Sequence, residues 1–98
     1  MISNKDKVMD ISVNLARVSD WIFSDNKRQR VDQFLGETEQ FVADLSKENL
    51  SERFKPTFKQ FKKEFKKLMD DRSTEDKEEW AERALTWANI LQHRAKLA

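Results

Sequence analysis

Residues 8–22 read VMDISVNLARVSDWI, and their apolar positions Val8, Ile11, Leu15, Val18 and Ile22 advance by 3, 4, 3 and 4. At 3.6 residues per turn these steps put all five side chains on one stripe of an α-helix. A half-buried strand would alternate every second residue instead. The same ladder recurs three times. Val31, Phe34, Thr38, Phe41 and Leu45 form the second run, with Leu35 and Val42 alongside. Leu50, Phe54, Phe58, Phe61, Phe65 and Leu68 form the third. Trp80, Ala84, Trp87 and Leu91 form the fourth, beside Ala81, Ala88 and Ala95.

Little interrupts these ladders. The 98 residues contain one glycine, Gly36, and one proline, Pro56. The breaks fall where capping chemistry is available. Ser3 with Asp6 and Ser73 with Asp76 have the spacing of capping boxes. Ser24-Asp25-Asn26 offers a turn, and Asn49 a left-handed helix end. Pro56 belongs in a first turn, so the third helix begins either at a Ser51 cap or at Pro56 after a separate turn, the Ser51 cap being preferred. Gly36, inside the second run, costs about 1 kcal/mol relative to alanine, and close approach of a neighbouring helix would account for it. The pattern predicts an all-α, single-domain, antiparallel up-down-up-down four-helix bundle over residues 1–98. Its helices are expected near 4–24, 26–47, 51–70 and 74–96, since turns this short return each helix antiparallel to the last.

Composition excludes much chemistry. There is no cysteine, hence no disulfide, thiol nucleophile or thiolate metal site. A phosphate-cradling loop needs several glycines, and an EF-hand needs one inside its acidic loop. The acidic turn at Asp70-Asp71 has none. The sole histidine, His93, has Ile90 three residues before it, so the Glu-x-x-His pair of di-iron bundles is missing. Glu78, Glu79 and Glu82 form an E-E-x-x-E segment, but a magnesium site would need a second acidic pair later in the chain and nothing after Glu82 is acidic. The segment reads as a helix start that complements the dipole, with His93, Arg94 and Lys96 doing the converse at the far end. No catalytic residue, metal ligand or cofactor is expected. The charged start Met-Ile-Ser-Asn-Lys-Asp lacks the apolar core of a secretory signal, and no stretch approaches a membrane span, so a cytoplasmic protein without membrane association is expected.

Two surfaces remain. The net charge is +1, yet residues 51–69 carry seven bases against two acids and residues 70–83 seven acids against three bases. On the third helix Lys55, Lys59, Lys62, Lys63 and Lys66 share one flank of the phenylalanine stripe. With Lys27, Arg28 and Arg30 they form a candidate anion or nucleic-acid surface, unless Lys66 and Lys67 pair with Glu78 or Glu79 of the next helix. The other surface lies on helices one and four, whose apolar arcs are far wider than one seam requires, on the order of 200° in the fourth. Met9, Val13 and Trp21 lie off the main stripe of helix one, and Leu85, Trp87 and Ile90 off that of helix four. The leading expectation is a non-enzymatic, self-associating interaction protein, in its simplest form a homodimer through helices one and four, with or without another protein partner. A nucleic-acid accessory protein using the lysine flank is the alternative.

Overall fold

Four helices account for the four ladders: α1 (Asn4–Trp21), α2 (Arg28–Ser46), α3 (Lys55–Asp70) and α4 (Lys77–Arg94). The computed structural model describes residues 3–98; residues 1–2, part of the charged start noted above, lie outside the described residues. Short 3-10 turns at Asp25–Lys27 and Ala95–Leu97 precede α2 and follow α4. No strand occurs among the described residues. The all-α four-helix bundle is therefore the architecture, within extents of 38 × 24 × 20 Å.

The helix ends follow local chemistry, with four departures from the sequence reading. Ser3 caps α1 as expected, its Oγ accepting from the Asp6 amide at 3.1 Å. The cap of α4 is Asp76, not Ser73: its carboxylate accepts from the Glu79 amide at 3.2 Å, while the Asp76 amide donates to Thr74 Oγ1. The helix accordingly starts three residues later than 74. Ser51 does not cap α3. Its carbonyl accepts from the amides of Phe54 and Lys55, closing a separate turn, and its hydroxyl donates to the carbonyl of Leu97. The helix proper starts at Lys55, with Pro56 in its first turn, where a missing amide donor costs nothing. Asn49 adopts no left-handed conformation; α2 ends at Ser46, and the capping residue Lys47 keeps right-handed geometry, its amide donating to the Asp44 and Leu45 carbonyls. The expected first helix is also shorter, because the Ser24 amide turns back to the Trp21 carbonyl at 2.9 Å.

Gly36 is exposed, and a Cβ built on it meets nothing within 4 Å. Close helix approach therefore does not explain it. Gly36→Ala should stabilise the fold by about 0.5–1 kcal/mol, read as a higher urea midpoint at unchanged slope, since alanine removes backbone entropy only from the unfolded chain.

The helices approach one another unevenly. α1 lies between α2 and α4 and approaches both closely, whereas α3 stands further from its neighbours. Side-chain size explains this, because interhelix spacing follows the residues at the contact. The α1–α4 seam is lined by small residues: Ser12, Ser19, Ala81, Ala84 and Ala88 are all buried. The Ser12 hydroxyl, itself buried, donates to the Ala88 carbonyl at 2.7 Å. On the α1–α2 seam, buried Asn14 donates to Thr38 Oγ1 at 3.3 Å and the Trp21 and Phe34 rings meet edge-on at 5.1 Å. α3 contributes Phe58, Phe61 and Phe65, with Phe54 immediately before it, and these rings hold its backbone away. Opposite them stand Trp80, whose Nε1 donates to the Leu68 carbonyl at 2.9 Å, and Trp87, 5.6 Å from the Phe61 ring.

Candidate functional site

The width of the apolar arcs on α1 and α4 has a largely internal cause. Each of these helices packs on two neighbours, so each needs two apolar flanks. One flank of α1 faces α4 through Ser12 and Ser19, the other faces α2 through Asn14 and Trp21. One flank of α4 faces α1 through Ala81 and Ala88, and the other faces α3 through Trp87.

The six residues expected to form a self-association surface therefore separate. Trp87 is only 8% exposed and belongs to the core against Phe61, which corrects its assignment to a free surface. Met9, Trp21 and Ile90 are partly buried and pack against that core. Trp21 is further covered by Lys27 and Arg30, whose charged groups sit 5.3 and 6.0 Å from its ring. It faces α2, not α4. Val13 and Leu85 remain exposed, at 42% and 45%. To these the structure adds Phe23, 53% exposed, just beyond the C-terminus of α1.

Phe23 and Leu85 line one shallow groove of about 480 Å³ at the outer α1–α4 seam. Ala81 and Ser19 form its floor, and Asp20, Glu78 and Glu82 stand at its rim. No lysine, arginine or histidine lines it. From α1 and its C-terminal extension the groove takes Ser19, Asp20 and Phe23, which span little more than one turn. Phe23 was missed because it abuts the Ser24-Asp25-Asn26 turn and continues no 3-4 ladder.

The basic residues also divide. Lys55 pairs with Glu52 at 2.7 Å, and Lys62 lies 5.2 Å from the Phe58 ring. Lys59, Lys63 and Lys66 are exposed and make no ion pair among the described residues. The alternative pairing of Lys66 and Lys67 with Glu78 or Glu79 does not occur among the described residues. Lys67 meets Glu64 at 3.5 Å, while Glu79 meets Arg83 at 3.5 Å. The reason is rotational: α3 turns Thr57 and the Leu68 carbonyl toward α4, to Arg94 and Trp80 respectively. The lysine flank lies on the other side of its phenylalanine stripe. Lys27 and Arg30 are held at Trp21, so they do not extend that flank.

Arg28 lines a different concavity of about 300 Å³ at the bundle end, where the α1–α2 and α3–α4 turns meet. Arg72, Lys77, Asp25 and Asp32 also line it, and Lys77 reaches Asp25 at 3.8 Å. Charges of both signs make it a junction between turns more than a collector of one ligand type. Among the described residues no group of three or more histidine, cysteine or acidic side chains is placed to hold a metal ion. No helix among them is long and apolar enough to cross a membrane. No protein-family model, curated protein or solved structure matches the chain.

Proposed function

We propose that this bundle is a non-enzymatic protein-interaction module whose docking face is the outer α1–α4 seam. One observation carries the reading: the large apolar side chains left exposed among the described residues, Val13, Phe23 and Leu85, all belong to α1, its immediate C-terminal extension or α4. Isolated surface apolars are ordinary, but Phe23 and Leu85 share one groove, and convergent apolar groups mark contact surfaces. Phenylalanine is also among the residues enriched in interface cores.

The simplest form expected from sequence, a symmetric homodimer, meets an electrostatic cost at this face. A two-fold interface sets the same patch against itself. Asp20, Glu78 and Glu82 would then approach their own copies, with no base lining the groove to offset them.

The test is gel filtration of fresh extract from cells that make the protein. The chain should elute well above its monomer size of 11.7 kDa. The variant Phe23→Ser/Leu85→Ser should elute as monomer while its stability stays within about 0.5 kcal/mol, as for other exposed positions. Wild-type protein eluting as monomer removes the proposal.

A second reading rests on a different observation, the exposed and unpaired Lys59, Lys63 and Lys66 of α3. Such a flank suits the phosphates of a nucleic acid, with affinity falling steeply as salt rises. Mobility shift with mixed DNA and RNA at low salt tests it. A shift lost in Lys59→Glu/Lys63→Glu/Lys66→Glu supports it, and no shift, or an unchanged one, ends it.

A further inference from the structure

We infer that the α1–α4 groove receives an amphipathic helix of a different protein, one that presents a large apolar side chain between lysines or arginines. This rests on the proposed docking face and adds the chemistry of its occupant. The groove supplies apolar contacts from exposed Phe23 and Leu85 and from buried Ala81 beneath them. Its rim carries three carboxylates, from Asp20, Glu78 and Glu82, and no positive charge. Glu78 and Glu82 make no ion pair among the described residues, and neither does Asp20. Each is therefore free to meet a cation. The segment around the α4 start extends the negative field, since residues 70–83 hold seven acids against three bases. Such a field speeds encounter with a basic partner and penalises an acidic one.

Shape selects a helix. The groove runs between two antiparallel helices, and a third helix seats its side-chain ridge in such a furrow. The described residues present no sheet edge to which an extended peptide could add.

A second copy of this chain is the poorer occupant. Its own basic face, on α3, has Phe58, Phe61 and Phe65 turned into the core. It has lysines to offer but no apolar side chain between them. Its acidic face offers the reverse, with the wrong charge.

The experiment uses the full chain and two synthetic helical peptides of about 18 residues, long enough for helix formation on contact. Both carry leucine at the same positions; one has lysine at the flanking sites and the other glutamate. Calorimetric titration should show the leucine–lysine peptide binding at least about tenfold tighter than its acidic counterpart, the equivalent of about 1.4 kcal/mol. Raising salt from about 0.05 to about 0.3 M should weaken it, because the rim charges become screened. Glu78→Lys/Glu82→Lys and, separately, Phe23→Ser/Leu85→Ser should each reduce affinity by about tenfold or more.

Equal affinity for the two peptides, or indifference to Glu78→Lys/Glu82→Lys, overturns the charge selection. Indifference to Phe23→Ser/Leu85→Ser overturns the site, because the contact is then electrostatic adhesion elsewhere. No binding by either peptide overturns the occupant. Concentration-dependent dimerisation of the pure chain that Leu85→Ser abolishes assigns the groove to a second copy. In these last two cases the extract elution still decides the docking face independently.

Discussion

Replacing Trp80 with alanine should cost about 3–5 kcal/mol, the range for deleting a fully packed aromatic ring. Trp80 is completely buried, and it sits where α4 meets the far end of α3. Its loss leaves a cavity beside Leu68 and orphans the Leu68 carbonyl, which accepts from the indole Nε1 at 2.9 Å. α3 has few close backbone approaches to the rest of the bundle, so large side chains are what attach it. A domain of this size has a total stability of about 5–15 kcal/mol, so the variant should lose a large fraction of it and unfold at a much lower urea concentration. Urea unfolding followed by circular dichroism measures it. Trp80→Phe separates the contributions: it keeps most of the volume and loses the hydrogen bond, for about 1–2 kcal/mol. A Trp80→Ala cost below that of Trp80→Phe would contradict the proposed anchoring.

Enlarging the α1–α4 seam should be the other severe lesion. Ala88→Leu places a branched side chain where Ser12 and Ala88 lie in direct contact. Overpacking a close seam costs about 1–3 kcal/mol. If α1 is pushed away, the Ser12 hydroxyl also loses the Ala88 carbonyl and is left buried, adding on the order of 1–3 kcal/mol. The two effects share one contact and are not additive, so a double-mutant cycle with Ser12→Ala is the informative design. The hydrogen-bond component should vanish in the Ser12→Ala background, making Ala88→Leu less costly there. Equal costs in the two backgrounds would show that the seam accommodates leucine without parting Ser12 from Ala88.

The ladders of 3-4 steps made the bundle legible because each burying stripe is a local property of helix register. Val8 to Val18 and Phe58 to Leu68 needed no tertiary information. Helix starts were harder. Ser51 and Ser73 each had the right side chain, but neighbouring Pro56 and Asp76 supplied better geometry for the first turn. The destination of each flank was the least legible feature. An arc wider than one seam shows that a helix has two neighbours, without saying whether both lie in the same chain. Trp87 looked surplus until α3 was placed beside it, and Trp21 until Phe34 closed over it. Val13 and Leu85 lie off the main stripes of their helices, and both are exposed. Phe23 needed the three-dimensional course of the first turn to bring it to Leu85. The lysine flank was read as a face, but its failure to meet α4 depended on the rotation of α3, which residue identity alone does not set.

Photo-crosslinking from the groove tests the docking face most directly. A benzophenone side chain placed at position 85, in cells that make the protein, should give a discrete adduct on illumination. The same group at Gln60, exposed on α3, should give none at comparable yield. Excess unlabelled wild-type protein should compete the adduct away, and Phe23→Ser protein should compete poorly. An adduct from position 60 and none from position 85, or an adduct at 85 that wild-type protein fails to displace, would contradict the account.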